Sequence, residues 1–244
     1  MTDKKHRNDI YGDTEKGTDG AAPLIPAATV VLLRDTETGP EVLMLHRTSH
    51  VHFGGMWVFP GGRIDPCDQD EDGDATLTAR NAAVRETLEE AGITVQSDDF
   101  VLFAQWTPPA STSRRYQTWF FASALTEEHN IQTDGYEIQD HDWIKPANAL
   151  EKHAAGAIDL APPTWITLYH LTRYSPTSAI LDHFRSQPEK FYETHVAKRA
   201  DGVRVAMWAG DAGYDAFDAD LEGNRHRLVM TQHGFQFENT VEEY

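Results

Sequence analysis

The sequence predicts an α+β fold in which strands lead, helices interrupt them, and a β-rich extension closes the chain. Three observations carry that prediction. A short apolar run rich in β-branched residues at 28–33 and a second strand at 41–46 flank a turn at 35–40 and form a hairpin. Residues 75–91 have helical spacing and stop at Gly92, a residue suited to the left-handed position after a helix. Beyond Ser186 the pattern returns to β, with strands at 203–208 and 226–231 and a third at 235–237.

The remaining elements follow in chain order. Residues 1–22 are polar and lack hydrophobic periodicity, so they predict a disordered tail. Pro23 and Pro26 bracket the entry to the folded part, a domain over 23–185. Residues 56–59 are a brief apolar stretch ended by Pro60-Gly61-Gly62, a strong breaker. Strands are predicted at 100–106, 116–122 and 141–144, with a loop at 108–115. Helices are predicted at 146–150, 163–172 and 179–185. Residues 186–244 read as an extension packed on the same domain rather than a separate one.

Composition narrows the function classes. The chain has 244 residues and a net charge of -18, from 39 acids against 21 Lys and Arg. Such a surface repels a phosphate backbone, so nucleic acid is not the expected partner. An anionic small substrate would need bound cations to approach it. No apolar stretch approaches the ~18 residues of a membrane helix, and the basic N-terminus lacks the apolar core of a secretory signal. Cys67 is the only cysteine, which rules out an intrachain disulfide and fits a reducing, cytoplasmic setting.

The helix at 75–91 carries the chemistry. At about 100° per residue, Leu77, Val84, Leu88 and Ala91 fall on one apolar stripe. Glu86, Glu89 and Glu90 share an arc of about 100° on the opposite face. Like charges at this spacing repel, and Arg85 relieves part of that. A cluster of hard oxygen donors on one rigid face is what Mg²⁺ or Mn²⁺ requires. The upstream Gly61-Gly62 lets backbone approach a ligand or metal closely.

Gly62, then Arg85-Glu86-Thr87-Leu88-Glu89-Glu90-Ala91-Gly92-Ile93, resembles the Nudix box of the Nudix hydrolases. Three departures stand out. Thr87 replaces an aliphatic residue, and Asp68 replaces the glutamate six positions after Gly62. The stretch from Gly62 to Arg85 is about nine residues longer than the pattern. The resemblance implies a mixed sheet sandwiched between helices. It also implies hydrolysis of a diphosphate linkage in a nucleoside-diphosphate derivative. Glu86, Glu89 and Glu90 would hold Mg²⁺ or Mn²⁺, and Arg85 would position the glutamates. Glu137 is the candidate for general base or additional ligand.

Further stretches resemble a coenzyme A diphosphatase branch of the kind found in peroxisomes: Leu45-His-Arg47, 55–62, the insertion with Asp65, 106–109 with 114–121, Ala161-Pro-Pro-Thr164 and 226–228. They imply coenzyme A or an acyl derivative as the first-choice substrate. Arg47, Arg114 and Arg115 would meet its phosphates, because guanidinium pairs phosphate bidentately. The alternatives are NADH, ADP-ribose or a nucleotide sugar as substrate, or a sensor that binds such a ligand without cleaving it. The oligomeric state stays open between monomer and homodimer.

Two further patterns resolve to bland expectations. Asp68-Gln-Asp70-Glu-Asp72-Gly73 opens like a calcium loop, but Ala79 stands where the twelfth-position acid belongs, so a solvated insertion is expected. Trp119, Phe120 and Phe121 read first as core, with stacking on adenine as the lesser alternative.

Overall fold

A computed structural model of the chain describes residues 7–11, 21–48, 54–127 and 129–241. Eight strands build a mixed central sheet: β1 (Leu24–Thr36), β2 (Gly39–Arg47), β3 (Trp57–Val58), β4 (Gly61–Arg63), β5 (Val101–Thr107), β6 (Arg115–Ala124), β7 (Ile138–Ile144) and β8 (Lys190–Glu193). Its main path runs β3-β2-β1-β6-β5-β8, with β4 pairing β1 and β7 pairing β2. The pairs β1·β6 and β5·β8 are parallel, and the others are antiparallel. Four helices accompany it: α1 (Ala75–Ala91), α2 (Pro146–Ala154), α3 (Pro162–Leu171) and α4 (Thr177–Ser186). A second, antiparallel sheet is formed by β9 (His195–Lys198), β10 (Arg204–Met207), β11 (His226–Thr231) and β12 (Gly234–Asn239).

Alternation along β1 sorts the core into two layers. Ala28, Val30 and Leu32 pack with Leu43 and Leu45 of β2 under Ala79, Ala82 and Ala83 of α1. Val31 and Leu33 point the other way, toward Ile166 and Leu168 of α3, Ile180 of α4, and Trp208, Leu228 and Met230 of the C-terminal part. The mixed sheet is therefore sandwiched, and the second sheet shares the larger core. The expected β-rich extension is present, yet β8, its first strand, is the edge strand of the central sheet beside β5. Among the described residues no helix is long and apolar enough to cross a membrane.

The structure corrects three expectations. Residues 7–11, expected within a disordered tail, dock on the body; most of that tail lies outside the described residues. Arg7 pairs with Asp159 at 3.1 Å, Asn8 donates to the Thr231 carbonyl, Asp9 pairs with Arg204, and Tyr11 packs against the larger core. One aromatic and three hydrogen-bonding side chains are enough to seat this short polar stretch.

The breaker Gly61-Gly62 is itself a strand, β4, laid against Ala28 and Thr29 of β1. Glycine is required at 61. Its φ is +154°, and a Cβ there would lie 2.4 Å from the Ala28 carbonyl oxygen.

The third correction concerns α1, whose boundaries match the sequence prediction. Asp74 caps its start, accepting from the N–H groups of Thr76 and Leu77, and Gly92 ends it at φ +69°. The expected faces hold only in part: Ala91 and Val84 pack inward and Glu89 faces out, as the spacing predicts. Leu77 and Leu88 face solvent, whereas Thr78, Ala79, Ala82, Ala83, Thr87, Glu90 and Ala91 are buried. Small residues let the helix approach the sheet closely, and that close approach carries the carboxylates inward with it.

Candidate active site

The buried face of α1 meets β4 and the end of β2. Glu90 is 3% exposed. Its carboxylate accepts from the Gly61 N–H at 3.0 Å and from Arg47 at 2.9 Å. Burial pushes its pKa up to about 8, and the charges of Glu86 and Glu137 add to that, against the pull of the Gly61 N–H and Arg47. Glu86 sits one helical turn earlier, over Gly62. A Cβ on Gly62 would lie 2.4 Å from Glu86 Oε1, so the glycine makes room for the carboxylate. Burial raises the Glu86 carboxyl too, with Glu89 and Glu137 adding to the rise and Arg85 opposing it. Glu89 lies toward solvent.

Arg85 organises this row. It donates to Glu86 at 2.8 Å and to Glu89 at 3.0 Å. It is itself gripped by Asp68, with Nε to Oδ1 at 2.9 Å and a terminal nitrogen to Oδ2 at 2.8 Å, and it also donates to the Arg63 carbonyl. Asp68 is buried, on a short 3₁₀ turn (Pro66–Asp68). Burial opposes its charge, yet Arg85 and the Asp65 N–H hold its carboxyl below the usual range. The loop expected to be a solvated insertion is thus anchored: Asp70 N–H donates to Thr78 Oγ1, and Asn81 donates to the Asp68 carbonyl. Asp68, six positions after Gly62, is the carboxylate that holds Arg85.

Glu137 arrives from the loop before β7. It accepts from Arg47 at 2.5 Å, so Arg47 bridges it to Glu90. Of the sequence-predicted residues, the structure brings together Arg47, Gly61, Gly62, Arg85, Glu86, Glu89, Glu90 and Glu137. It does not bring in Arg115, which donates to the carbonyls of Ala22 and Pro108 and ties the start of β1 to the 108–114 loop. Arg114 is exposed in that loop. Phe120 and Phe121 are buried in opposite cores, which removes them as a base platform.

Among the described residues no three His, Cys, Asp or Glu side chains already form a metal-ligand shell. The donor set nevertheless fits a hard divalent cation. Four carboxylates (Glu86, Glu89, Glu90 and Glu137) face two arginines, and burial together with the neighbouring carboxylates disfavours the charge of buried Glu90 and half-buried Glu86. A cation supplies the countercharge this row lacks.

The family model described as NUDIX domain matches residues 23–162, more than half of the chain. A protein named nudix hydrolase 7 from Caenorhabditis elegans is 28% identical over 185 residues, covering 61% of this chain and 60% of that protein. An acyl-coenzyme A diphosphatase from Xenopus laevis is 26% identical over 137 residues, 53% of this chain and 35% of that one. The chain thus spans between about a third and three fifths of these relatives' lengths. The crystal structure of a Nudix hydrolase from Alicyclobacillus acidocaldarius superposes with a TM-score of 0.59 at 20% identity. It covers 67% of this chain and 97% of its own, and agrees in fold.

Proposed function

The chain belongs to the Nudix family, and on that premise we propose that it is a divalent-metal-dependent hydrolase. The bond cleaved is a diphosphate linkage in a nucleoside-diphosphate derivative, with coenzyme A or an acyl-coenzyme A as the first-choice substrate. The observation that carries this is the seat of Glu90: a buried carboxylate between the Gly61 N–H and Arg47, beside Glu86, on a helix pressed against a two-glycine strand. The named activity of the Xenopus laevis relative supports the substrate class.

In this mechanism Glu86, Glu89 and Glu90 would hold Mg²⁺ or Mn²⁺. Such a cation, when bound, neutralises the diphosphate and acidifies water. The chain's own residues do the rest. Asp68 fixes Arg85, and Arg85 aims Glu86 and Glu89. Gly61 N–H fixes the far oxygen of Glu90. Arg47, which bridges Glu90 and Glu137, would meet a phosphate oxygen, and on turning to substrate it would release Glu137. Glu137 Oε2 then accepts the proton of the attacking water as the P–O bond of the anhydride breaks and the second phosphate leaves.

The test is a product-resolved screen of coenzyme A, acetyl-coenzyme A, NADH, ADP-ribose and UDP-glucose with Mg²⁺ and Mn²⁺. Release of 3′,5′-ADP and a phosphopantetheine is expected. Cleavage of only the other substrates overturns the coenzyme A assignment. Binding of these ligands with no cleavage of any favours the sensor reading instead.

A further inference from the structure

Tyr136 is 81% exposed, the most exposed large hydrophobic side chain among the described residues. It sits immediately before Glu137, whose carboxylate reaches Arg47 and through it Glu90. The loop that presents it is tied down on every side. Gln132 N–H donates to the Ala91 carbonyl at the end of α1. Gly92 permits that approach, since a Cβ there would lie 3.0 Å from Gln132 Cβ. Asp134 accepts from the N–H groups of Tyr136, Glu137 and Ile138, and Gly135 takes the left-handed turn at φ +69°. The Glu137 carbonyl accepts from Thr48 N–H at 2.8 Å.

A fully wetted aromatic ring costs apolar exposure and gains nothing for the fold. Here it is held out by a loop moored to the helix that carries the glutamates. We propose that Tyr136 is the platform on which the nucleobase of the substrate stacks, with a purine preferred for its larger face. The proposal rests on the hydrolase reading for its substrate class. It assigns to Tyr136 the contact that Phe120 and Phe121, both buried, do not make. Tyr136 stands next in the chain to Glu137, whose carboxylate meets Arg47, where the diphosphate of the proposed substrate would lie. Asp134 is then a positioning residue for both Tyr136 and Glu137.

The test separates the platform from the reaction. Calorimetry in Mg²⁺ measures the affinity of the full chain for ADP and for inorganic pyrophosphate, which lacks a base. Tyr136→Ala is expected to weaken ADP about tenfold and leave pyrophosphate unchanged, in line with base–aromatic stacking elsewhere. Tyr136→Phe should keep ADP affinity. With coenzyme A, Tyr136→Ala should raise KM and spare kcat. Equal loss of ADP and pyrophosphate, or no loss of either, overturns the platform. Wild-type protein that binds ADP but cleaves none of the substrates sinks the hydrolase reading alone, because the contrast between ADP and pyrophosphate still reads Tyr136.

Discussion

Asp68 holds Arg85 by two parallel hydrogen bonds, 2.9 and 2.8 Å, across an insertion that separates them by 17 positions. The pair closes the loop after β4 onto α1 and leaves one edge of the guanidinium free to meet Glu86 and Glu89. Removing one partner of a buried pair costs up to about 3–5 kcal/mol, and the partial exposure of Arg85 places this one at or below the low end. Asp68→Ala should therefore lower the thermal midpoint. It should also cut kcat by about 10–100-fold, the usual cost of losing a group that orients metal ligands. Asp68→Glu should recover most of the activity. Full activity in Asp68→Ala would show that Arg85 needs no anchor.

The two glycines should fail in different ways. Gly61→Ala strains a φ of +154° and drives a Cβ into the backbone of β1, so the expected outcome is a loss of about 1–3 kcal/mol or more in denaturant unfolding. Gly62→Ala meets only the carboxylate end of Glu86, which can swing away. That variant should fold nearly normally and lose metal-dependent activity. Calorimetry of Mn²⁺ binding beside an unfolding curve distinguishes the two.

The exposed leucines and buried alanines of α1 make a third contrast. Leu77→Gln and Leu88→Gln should change stability by no more than about 0.5 kcal/mol. Ala83→Leu should destabilise by about 1–3 kcal/mol, because it overfills the seam against β1. Urea midpoints for the three variants settle the orientation of the helix.

That contrast also shows where the sequence was readable. The ends of α1 were, because Asp74, Gly92 and the spacing between them act locally. Its orientation was not. Leucine spacing points to a core stripe, whereas the controlling fact is that alanines pack over β1 and β2 while Glu86 and Glu90 lie over Gly62 and Gly61. The role of β4 was hidden because two glycines carry no β propensity, and its pairing with Thr29 is a tertiary choice. The glutamates, Arg85 and Glu137 were legible from spacing and resemblance. Asp68 was visible as a departure, but the long insertion hid its contact. Arg115 was misplaced because a charge in a loop says nothing of which carbonyls it will meet. Tyr136 has no local signal beyond one aromatic in Asp134-Gly-Tyr-Glu137.

Acid should destabilise the fold through two buried histidines. Burial lowers His153 to about 4, with Arg7 adding to the effect, and lowers His170 to about 3. Both rings are neutral in the fold and gain a proton in the unfolded chain near pH 6.5. Stability is complete above that value and declines as pH falls toward 4, by up to about 1.4 kcal/mol per unit for each ring. Glu90 works in the opposite sense, since its raised carboxyl costs stability as pH rises from about 4.5 to 8. The Glu86 carboxyl is raised as well, so the measurement is made in Glu86→Gln/Glu90→Gln. Urea midpoints should fall between pH 7 and 5, and His170→Phe should flatten the fall. An unchanged slope in His170→Phe would remove that histidine from the account.

The central claim is that Glu90 anchors a divalent-metal site that hydrolyses a diphosphate bond. Its most direct test is the rate of product release from coenzyme A and ADP-ribose by wild type and Glu90→Gln, titrated with Mg²⁺ and Mn²⁺. Wild type should show saturable, metal-dependent cleavage at the diphosphate, and Glu90→Gln a loss of at least about 100-fold with the fold intact. Equal rates in the two proteins, or cleavage that persists without metal, would contradict it.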